Sequence, residues 1–137
     1  MSRESRSEDT ARFESDQLAS SVPQLSSEES AALAALPDSS ALLIVHKGPG
    51  AGSRYLLDQD LTVAGRHPDA DIFLDDVTVS RRHAQFDRVD GHFTVTDLGS
   101  MNGTYADGQR VEQQRLINGM EVMIGKFRLT FYASERR

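Results

Sequence analysis

From Ala41 onward, the chain alternates short apolar segments with turn residues. Eight segments are rich in β-branched, aromatic and aliphatic residues, several with period-two alternation: ALLIVHK, RYLL, LTVAG, DIFL, HAQFDRV, HFTVTD, EVMIG and KFRLTFY. Between them stand Gly-Pro-Gly-Ala-Gly at 48–52 and three hairpin signals, Asp90-Gly91, Asp107-Gly108 and Asn118-Gly119. The segment VEQQRLINGM at 111–120 is predicted to be a polar connection before the last hairpin. Many short strands at this spacing predict an antiparallel all-β sandwich or barrel.

The first forty residues have a different pattern. They are rich in serine and alanine, and Phe13 is their only aromatic residue. Such a segment buries too little apolar surface to offset its ordering entropy, which predicts a disordered tail. One short helix is predicted inside it, because Ser26 and Glu29 form a capping box, EESAALAAL supplies strong helix formers and Pro37 ends the run.

Charge divides the chain at the same place. Residues 1–40 carry three arginines and eight acids, a net charge of −5, whereas the remaining 97 residues hold 12 basic and 13 acidic residues, a net charge of −1. A nearly neutral body argues against non-specific nucleic-acid binding, which needs a broad basic face. The acidic character of the protein therefore belongs to its tail.

Several classes of protein are disfavoured by composition. The chain has no cysteine, and its four histidines (His46, His67, His83 and His92) are scattered, so we expect no metal and no cofactor. No segment approaches the roughly 20 apolar residues of a membrane span, and MSRESRSEDT lacks the apolar core of a signal peptide. These features predict a soluble, cytoplasmic protein that does not bind membranes.

Three motifs place guanidinium, hydroxyl and amide groups on loops between predicted strands. Loops of a sandwich can gather at one end, and the planar donors of arginine suit the oxygens of a phosphate group. The motifs therefore predict one anion-binding site. Its residues are Gly65 and Arg66 in the first loop, Ser80, Arg81, Arg82 and His83 in the second, and Ser100, Asn102, Gly103 and Thr104 in the third.

Other interpretations of these residues remain open at the level of sequence. Arg66 and Arg81 could pair with nearby aspartates, namely Asp69, Asp71, Asp75 or Asp76. The cluster could also bind a phosphate-bearing small molecule or a nucleic acid. Ser80, His83 and Asp97 are the residue types of a hydrolase triad, but no nucleophile elbow accompanies them, so we expect no enzyme. The glycines at 48–52 lack the phosphate-loop signature.

In order and spacing, GR at 65–66, SRRH at 80–83 and GSMNGTY at 99–105 resemble the defining motifs of the forkhead-associated (FHA) domain. The segment NGMEVMIGKFRLTFY is similar to the closing strands of that domain, and the resemblance covers about residues 41–133. It implies an eleven-stranded antiparallel β-sandwich that binds phosphothreonine peptides through loops at one end.

The resemblance also implies roles for individual residues. Arg66 and Ser80 would bind phosphate oxygens with help from Arg81, and Asn102 would bond the ligand backbone beside the phosphothreonine. Ser100 belongs to the same predicted phosphothreonine-binding set. The residues expected to shape the loops are Gly65, His83 and Gly103. Met101 stands where some members of the family have a hydroxyl residue.

Taken as a whole, the chain is similar to small actinobacterial FHA regulators of the GarA and OdhI type. Those regulators carry a tail motif of the form E-T-T-S-V-F, and EDTARF occupies its place here, with Asp9 where the first threonine would be. The candidate phosphorylation site is Thr10, with Phe13 at the +3 position that FHA domains often bind in an apolar pocket. The resulting division is an acidic regulatory tail at 1–40, an FHA domain at 41–133 and a C-terminal end at 134–137.

This second resemblance implies a function as well. The unphosphorylated protein would bind and inhibit the decarboxylase (E1) component of 2-oxoglutarate dehydrogenase, with glutamate dehydrogenase or glutamate synthase as further partners. Ser/Thr protein kinases of the PknG and PknB type would phosphorylate the tail, which would then dock in its own FHA pocket. The sequence favours a monomer with no nucleic-acid partner. The alternative is an FHA adaptor that recruits other phosphothreonine proteins and has no internal switch.

Overall fold

A computed structural model describes residues 25–134 of the chain. Within that range, a single helix is followed by eleven strands that form two sheets. The helix α1 spans Ser27–Ala34. The strands are β1 Ala41–Lys47, β2 Arg54–Leu57, β3 Leu61–Gly65, β4 Ile72–Phe73, β5 Ala84–Val89, β6 His92–Asp97, β7 Thr104–Ala106, β8 Gln109–Val111, β9 Gln113–Arg115, β10 Glu121–Ile124 and β11 Phe127–Ala133. The predicted all-β class and the eleven strands are confirmed.

The two sheets pack face to face. One has five strands in the order β9-β6-β5-β3-β4, and the other has six in the order β2-β1-β11-β10-β7-β8. Neighbouring strands are antiparallel except β3 and β4, which pair in parallel. The core between the sheets is formed by inward-facing aliphatic and aromatic side chains, and in it the rings of Phe93 and Phe131 meet edge to face with centroids 5.5 Å apart.

Helix α1 lies on the outer face of the six-stranded sheet. The predicted capping box is confirmed, because the Glu29 N–H donates to Ser26 Oγ and the Ser26 N–H donates to Glu29 Oε1. A second apolar cluster joins the helix to the sheet; it is formed by Leu25, Ala32, Leu33, Leu36, Leu42, Ile44 and Tyr132. The first five residues of β1 are all buried because the core covers one face of this strand and the helix region covers the other.

The helix runs antiparallel to β1. Glu29, near the start of the helix, lines a depression together with His46 and Gly52, whereas Leu33 in the last turn lines another depression with Ala133; Leu25 borders both. Leu36 then leads back to the start of β1. The first turn of the helix therefore lies over the half of the sheet that holds the C-terminal end of β1.

Two of the three predicted two-residue hairpin turns are confirmed. Asp90-Gly91 joins β5 to β6 and Asp107-Gly108 joins β7 to β8, and both residues of each turn have positive φ, as a type I′ turn requires. The third prediction is wrong. At Asn118-Gly119 only Gly119 has positive φ, and the turn carries the chain from β9 in one sheet to β10 in the other.

The prediction that 111–120 is a polar connection is also wrong. Residues Gln113–Arg115 form β9, which pairs with β6 at the edge of the five-stranded sheet. None of its residues is buried, so its strand structure comes from backbone pairing with Thr94–Thr96 rather than from an apolar pattern. A polar edge strand of this kind leaves no hydrophobic signal in the sequence.

Candidate functional site

The three sequence motifs lie on adjoining loops at one end of the sandwich. Direct hydrogen bonds join these loops: the Arg66 N–H donates to the Ser80 carbonyl at 2.9 Å, and the Met101 N–H donates to Ser80 Oγ at 3.0 Å. The side-chain amide of Asn102 donates from Nδ2 to the Thr78 carbonyl at 2.9 Å. The structure thus brings together the residues that the sequence placed in one site.

Gly65 allows the first two loops to touch. It is the last residue of β3, and a Cβ atom at this position would overlap the backbone carbonyl of Arg81. Two backbone hydrogen bonds just after Gly65 hold the loops together, from the Arg66 N–H to the Ser80 carbonyl and from the His67 N–H to the Arg81 carbonyl. Only glycine permits this approach.

Arg66 is anchored at one edge and open at the other. Its Nε donates to the Val79 carbonyl at 3.0 Å, which fixes the plane of the guanidinium. Its terminal nitrogens have no hydrogen-bond or ion-pair partner among residues 25–134, and the side chain is exposed. Arg81 and Arg82 are exposed beside it. The arrangement presents several fixed N–H donors to an anion.

Ser80 and Asn102 each keep one group available. Because Ser80 Oγ accepts from the Met101 N–H, its own O–H hydrogen remains available to donate. Because Asn102 uses Nδ2 to hold Thr78, its carbonyl oxygen Oδ1 can accept from a ligand N–H. Val77 and Met101 flank these groups with side chains that are 83% and 85% exposed, and they form an apolar rim.

His83 is fully buried and bridges the second and third loops. Its Nδ1 accepts from the Ser80 N–H at 3.0 Å, so the ring hydrogen lies on Nε2, which donates to the Gly103 carbonyl at 2.9 Å. Burial disfavours the charged ring and lowers the pKa of His83 below its ordinary value, although the Gly103 bond and the nearby Asp97 act in the opposite direction. A neutral histidine is the form that this pair of bonds requires.

Asp97 organises the third loop. Its carboxylate accepts from the backbone N–H groups of Gly99 and Ser100 and from the hydroxyls of Ser100 and Thr104. Burial alone would raise the pKa of Asp97, but these bonds outweigh it and hold the pKa below its usual range. Ser100 also accepts from the Gly103 N–H at 2.9 Å. Its single hydrogen is donated to Asp97, so this conformation leaves it none for a phosphate oxygen.

Thr78 is a positioning residue that the sequence interpretation missed. Its hydroxyl and N–H both donate to Asp76 Oδ2, and its hydroxyl accepts from the Lys126 N–H at 2.9 Å. Its carbonyl holds Asn102. The hydrogen bonds from Thr78 lower the pKa of Asp76. The short Asp-Val-Thr pattern, in which an aspartate caps the residue two positions later, is the signal that could have revealed it.

Two competing interpretations of the motif residues, the pairing of arginines with aspartates and the hydrolase triad, do not hold within residues 25–134. Asp69 lies 3.8 Å from His67, and Asp71 accepts from the Val63 N–H, while neither Arg66 nor Arg81 has a carboxylate within 4.0 Å in this part of the chain. Nor do Ser80, His83 and Asp97 form a triad. His83 contacts backbone groups, and Asp97 contacts the third loop.

Some sequence predictions fall outside the described residues. Thr10 and Phe13 precede Leu25, so the structure describes neither the candidate phosphorylation site nor its +3 residue. Within the described part, no helix is long and apolar enough to cross a membrane.

Comparison with known proteins identifies the fold and its close relatives. Residues 62–125 match the sequence model of the FHA domain. The glycogen accumulation regulator GarA of Mycobacterium tuberculosis is 53% identical over 133 residues, which cover 95% of this chain and 82% of that protein. The oxoglutarate dehydrogenase inhibitor of Corynebacterium jeikeium is 62% identical over 96 residues, which cover 70% of this chain and 67% of that protein. The match to GarA of Mycolicibacterium smegmatis spans 61% of that protein's length.

Solved structures agree with the sequence comparison. Mycobacterium tuberculosis EmbR in complex with a low-affinity phosphopeptide superimposes with a TM-score of 0.64 and 31% identity, covering 69% of this chain and 24% of that one. The names of these relatives describe a regulator and an inhibitor rather than a catalyst. The fold of this chain is therefore shared by a protein whose solved structure contains a bound phosphopeptide.

Proposed function

Because the chain belongs to the FHA-domain family that includes GarA and the oxoglutarate dehydrogenase inhibitors, we propose that it is a phosphothreonine-dependent metabolic regulator. Unphosphorylated, it binds and inhibits the decarboxylase component of 2-oxoglutarate dehydrogenase, and it acts on glutamate dehydrogenase or glutamate synthase. Phosphorylation of Thr10 by a Ser/Thr kinase docks the tail in the chain's own FHA pocket and ends the inhibition.

The observation that carries this proposal is the geometry of Arg66. Its guanidinium is fixed through Nε and open at its terminal nitrogens, and it lies next to the available hydroxyl of Ser80. The phosphate is bound by Arg66, Ser80 and Arg81, and Asn102 forms a hydrogen bond with the ligand backbone. Gly65, His83 and Gly103 keep the loops in place, and Ser100 acts through the loop that it closes rather than as a direct donor.

The position of helix α1 supports docking of the tail within one molecule. Thr10 and Leu25 are separated by 14 residues, which span at most about 50 Å when extended. The seven-residue strand β1 is only about 23 Å long. Gly48 follows β1 and lies against the backbone of Lys126, whose N–H reaches Thr78 in the site. The first turn of α1 thus faces the half of the sheet nearer the end of the sandwich that holds the loops.

Energies favour a closed state that depends on phosphate. A short flexible tether gives an effective concentration approaching about 1 mM, so a tail segment that bound in trans with a Kd of about 10 μM would be closed by roughly 100 to 1. Without phosphate, the ligand loses a charge of about −1.5 to −2 and its acceptor oxygens. The pocket then releases the tail and is free for other partners.

Binding in trans tests the pocket. The full-length Thr10→Ala protein, whose tail cannot be phosphorylated, is titrated by calorimetry with a peptide of residues 5–18 phosphorylated on Thr10. We expect micromolar binding that is lost without the phosphate and falls at least about 30-fold in the additional variant Arg66→Ala, because a charge-assisted bidentate contact disappears. No binding by the folded protein would exclude Thr10 as the internal ligand.

Inhibition tests the regulatory step. The unphosphorylated wild-type protein should inhibit purified 2-oxoglutarate dehydrogenase, and phosphorylation of Thr10 should remove that inhibition in wild type but leave Thr10→Ala inhibitory after the same kinase treatment. If phosphorylated and unphosphorylated proteins inhibit equally while the peptide still binds, the switch is wrong and the adaptor function is supported instead.

A further inference from the structure

Arg110 lies against the phosphate-binding end of the sandwich but belongs to none of its three motifs. It is the second residue of β8, opposite Tyr105 and two positions after Gly108 of the Asp107-Gly108 turn. Its side chain folds back across the third loop, so that a Cβ atom on Gly103 would stand 2.7 Å from Arg110 Nε and 3.0 Å from Cζ. The guanidinium is thus next to the backbone that carries Asn102.

This cation has no acidic partner in the part of the chain that the structure describes. It lines a depression with two acids, Asp97 and Glu112. The carboxylate of Asp97 is occupied by four donors from its own loop, and no carboxylate lies within 4.0 Å of Arg110 among residues 25–134. The side chain is exposed and open to a ligand.

The tail offers a matching charge beside its phosphorylation site. Glu8 and Asp9 directly precede Thr10, whereas Ala11 and Arg12 follow it. An extended ligand advances about 3.4 Å per residue, so a side chain one or two positions from the phosphothreonine is about 3–7 Å along the chain. Because Arg110 lies against Gly103, the neighbour of Asn102, it is within reach of a residue close to the phosphothreonine, and the residues of complementary charge there are the two acids that precede Thr10.

We propose that Arg110 is a specificity residue that binds the acidic side chains of Glu8 and Asp9, and so selects ligands with acids immediately before the phosphothreonine. The inference rests on the proposed function, because it assigns the flanking contact of the same pocket. It also gives a reason for Gly103 besides its φ of +87°: any side chain there would displace the guanidinium.

A double-mutant cycle tests the pairing. Full-length Thr10→Ala protein with and without Arg110→Ala is titrated with the phosphorylated 5–18 peptide and with the same peptide carrying Glu8→Gln and Asp9→Asn. We expect Arg110→Ala to lower the affinity for the acidic peptide by about threefold to tenfold. The affinity for the neutralised peptide should fall by less than twofold, because the contact is a partly exposed charged pair. Arg54→Ala, an exposed arginine on β2, is the control and should change neither affinity.

The outcomes separate this inference from the function that it deepens. Equal losses for both peptides, or coupling of Arg110 to Glu14 and Asp16 instead, would overturn the Arg110 assignment while phosphate-dependent binding through Arg66 stood. Absence of phosphopeptide binding by the parent protein would overturn both. Thermal unfolding of Arg110→Ala confirms that the variant is folded, and Arg110→Lys should recover part of the affinity because it keeps the charge without the planar fork.

Discussion

At the scale of single residues, the site depends on residues that position the loops and do not themselves face a ligand. Gly65 lets two loops touch, and His83 joins the second loop to the third through both ring nitrogens. Thr78 fixes Asn102 through its carbonyl. The arginines bind an anion only as well as these neighbours hold the loops together, because preorganisation determines how much of each contact appears as affinity.

His83 should make stability depend on pH. The pKa of His83 is lowered in the folded protein, so below about pH 6.5 the unfolded chain binds a proton on this ring more readily than the native state does. Stability should therefore fall as the pH drops from 6.5, by at most about 1.4 kcal/mol per pH unit from this residue. Urea unfolding at pH 7.5, 6.5 and 5.5 measures this slope.

Comparison with a variant identifies His83 as the source. His83→Gln should show a shallower slope between pH 6.5 and 5.5 than the wild-type protein. Parallel curves for wild type and His83→Gln would contradict the assignment. Where His83→Gln is too unstable to measure, NMR provides the test: the ring signals of His83 in the wild-type protein should titrate at a lower pH than those of an ordinary histidine.

At the scale of elements, helix α1 has little intrinsic stability and depends on the sheet. Eight residues make a marginal helix in water, and its capping box adds about 1 kcal/mol. What holds it is the cluster that includes Leu33, Leu36 and Tyr132. In the proposed switch, this packing shortens the free tether from the 30 residues between Thr10 and Ala41 to the 14 before Leu25.

Releasing the helix should weaken docking of the tail without changing the pocket. In the Leu33→Ser, Leu36→Ser double variant, the longer tether should lower the effective concentration about threefold, by the −3/2 power of tether length. Binding of a labelled phosphopeptide to the Thr10-phosphorylated protein, where the tail competes with it, measures how far the tail is docked. Binding of the same peptide to the Thr10→Ala protein measures the affinity of the pocket itself. Ala34→Ser, on the exposed side of the helix, is the matched control. Unchanged closure would show that α1 does not anchor the tail.

At the scale of the whole molecule, the tail and the domain carry different charges, and in the proposed switch they are ligand and receptor. Residues 1–40 have a net charge of −5 and the rest of the chain −1. Four of the exposed arginines, Arg66, Arg81, Arg82 and Arg110, lie on or beside the loops at one end. In the proposed switch, phosphorylation adds negative charge to the acidic tail, which would couple a covalent change in the tail to the accessibility of the pocket.

Closure should stabilise the whole protein. A ligand present at about 100 times its Kd contributes about 2.7 kcal/mol to the folded state, which corresponds to a rise in Tm of roughly 10 °C for a domain of this size. Scanning calorimetry of the protein phosphorylated on Thr10 should show this rise at every protein concentration, because the ligand is intramolecular. The Arg66→Ala protein, phosphorylated equally, should show almost none. A rise that grows with protein concentration would indicate docking between molecules instead.

By itself, the sequence determined the fold class, most strands, the capped helix and the three site loops. Those features are local: a few consecutive residues determine period-two alternation, a two-residue turn or a capping box. It failed at β9 and at Asn118-Gly119, because a polar edge strand and a turn between sheets are decided by which strand is the neighbour, and no local pattern encodes that.

Only the tertiary structure decided how the site residues are used. Ser100 and Thr78 are alike as hydroxyl residues near the motifs, yet one is committed to Asp97 and the other positions Asn102. The sequence likewise could not predict the direction of α1, because it depends on contact with a distant sheet, or the place of Arg110 beside Gly103, because it depends on the path of a side chain. Local patterns fix which groups are available, whereas packing fixes which of them remain available for a ligand.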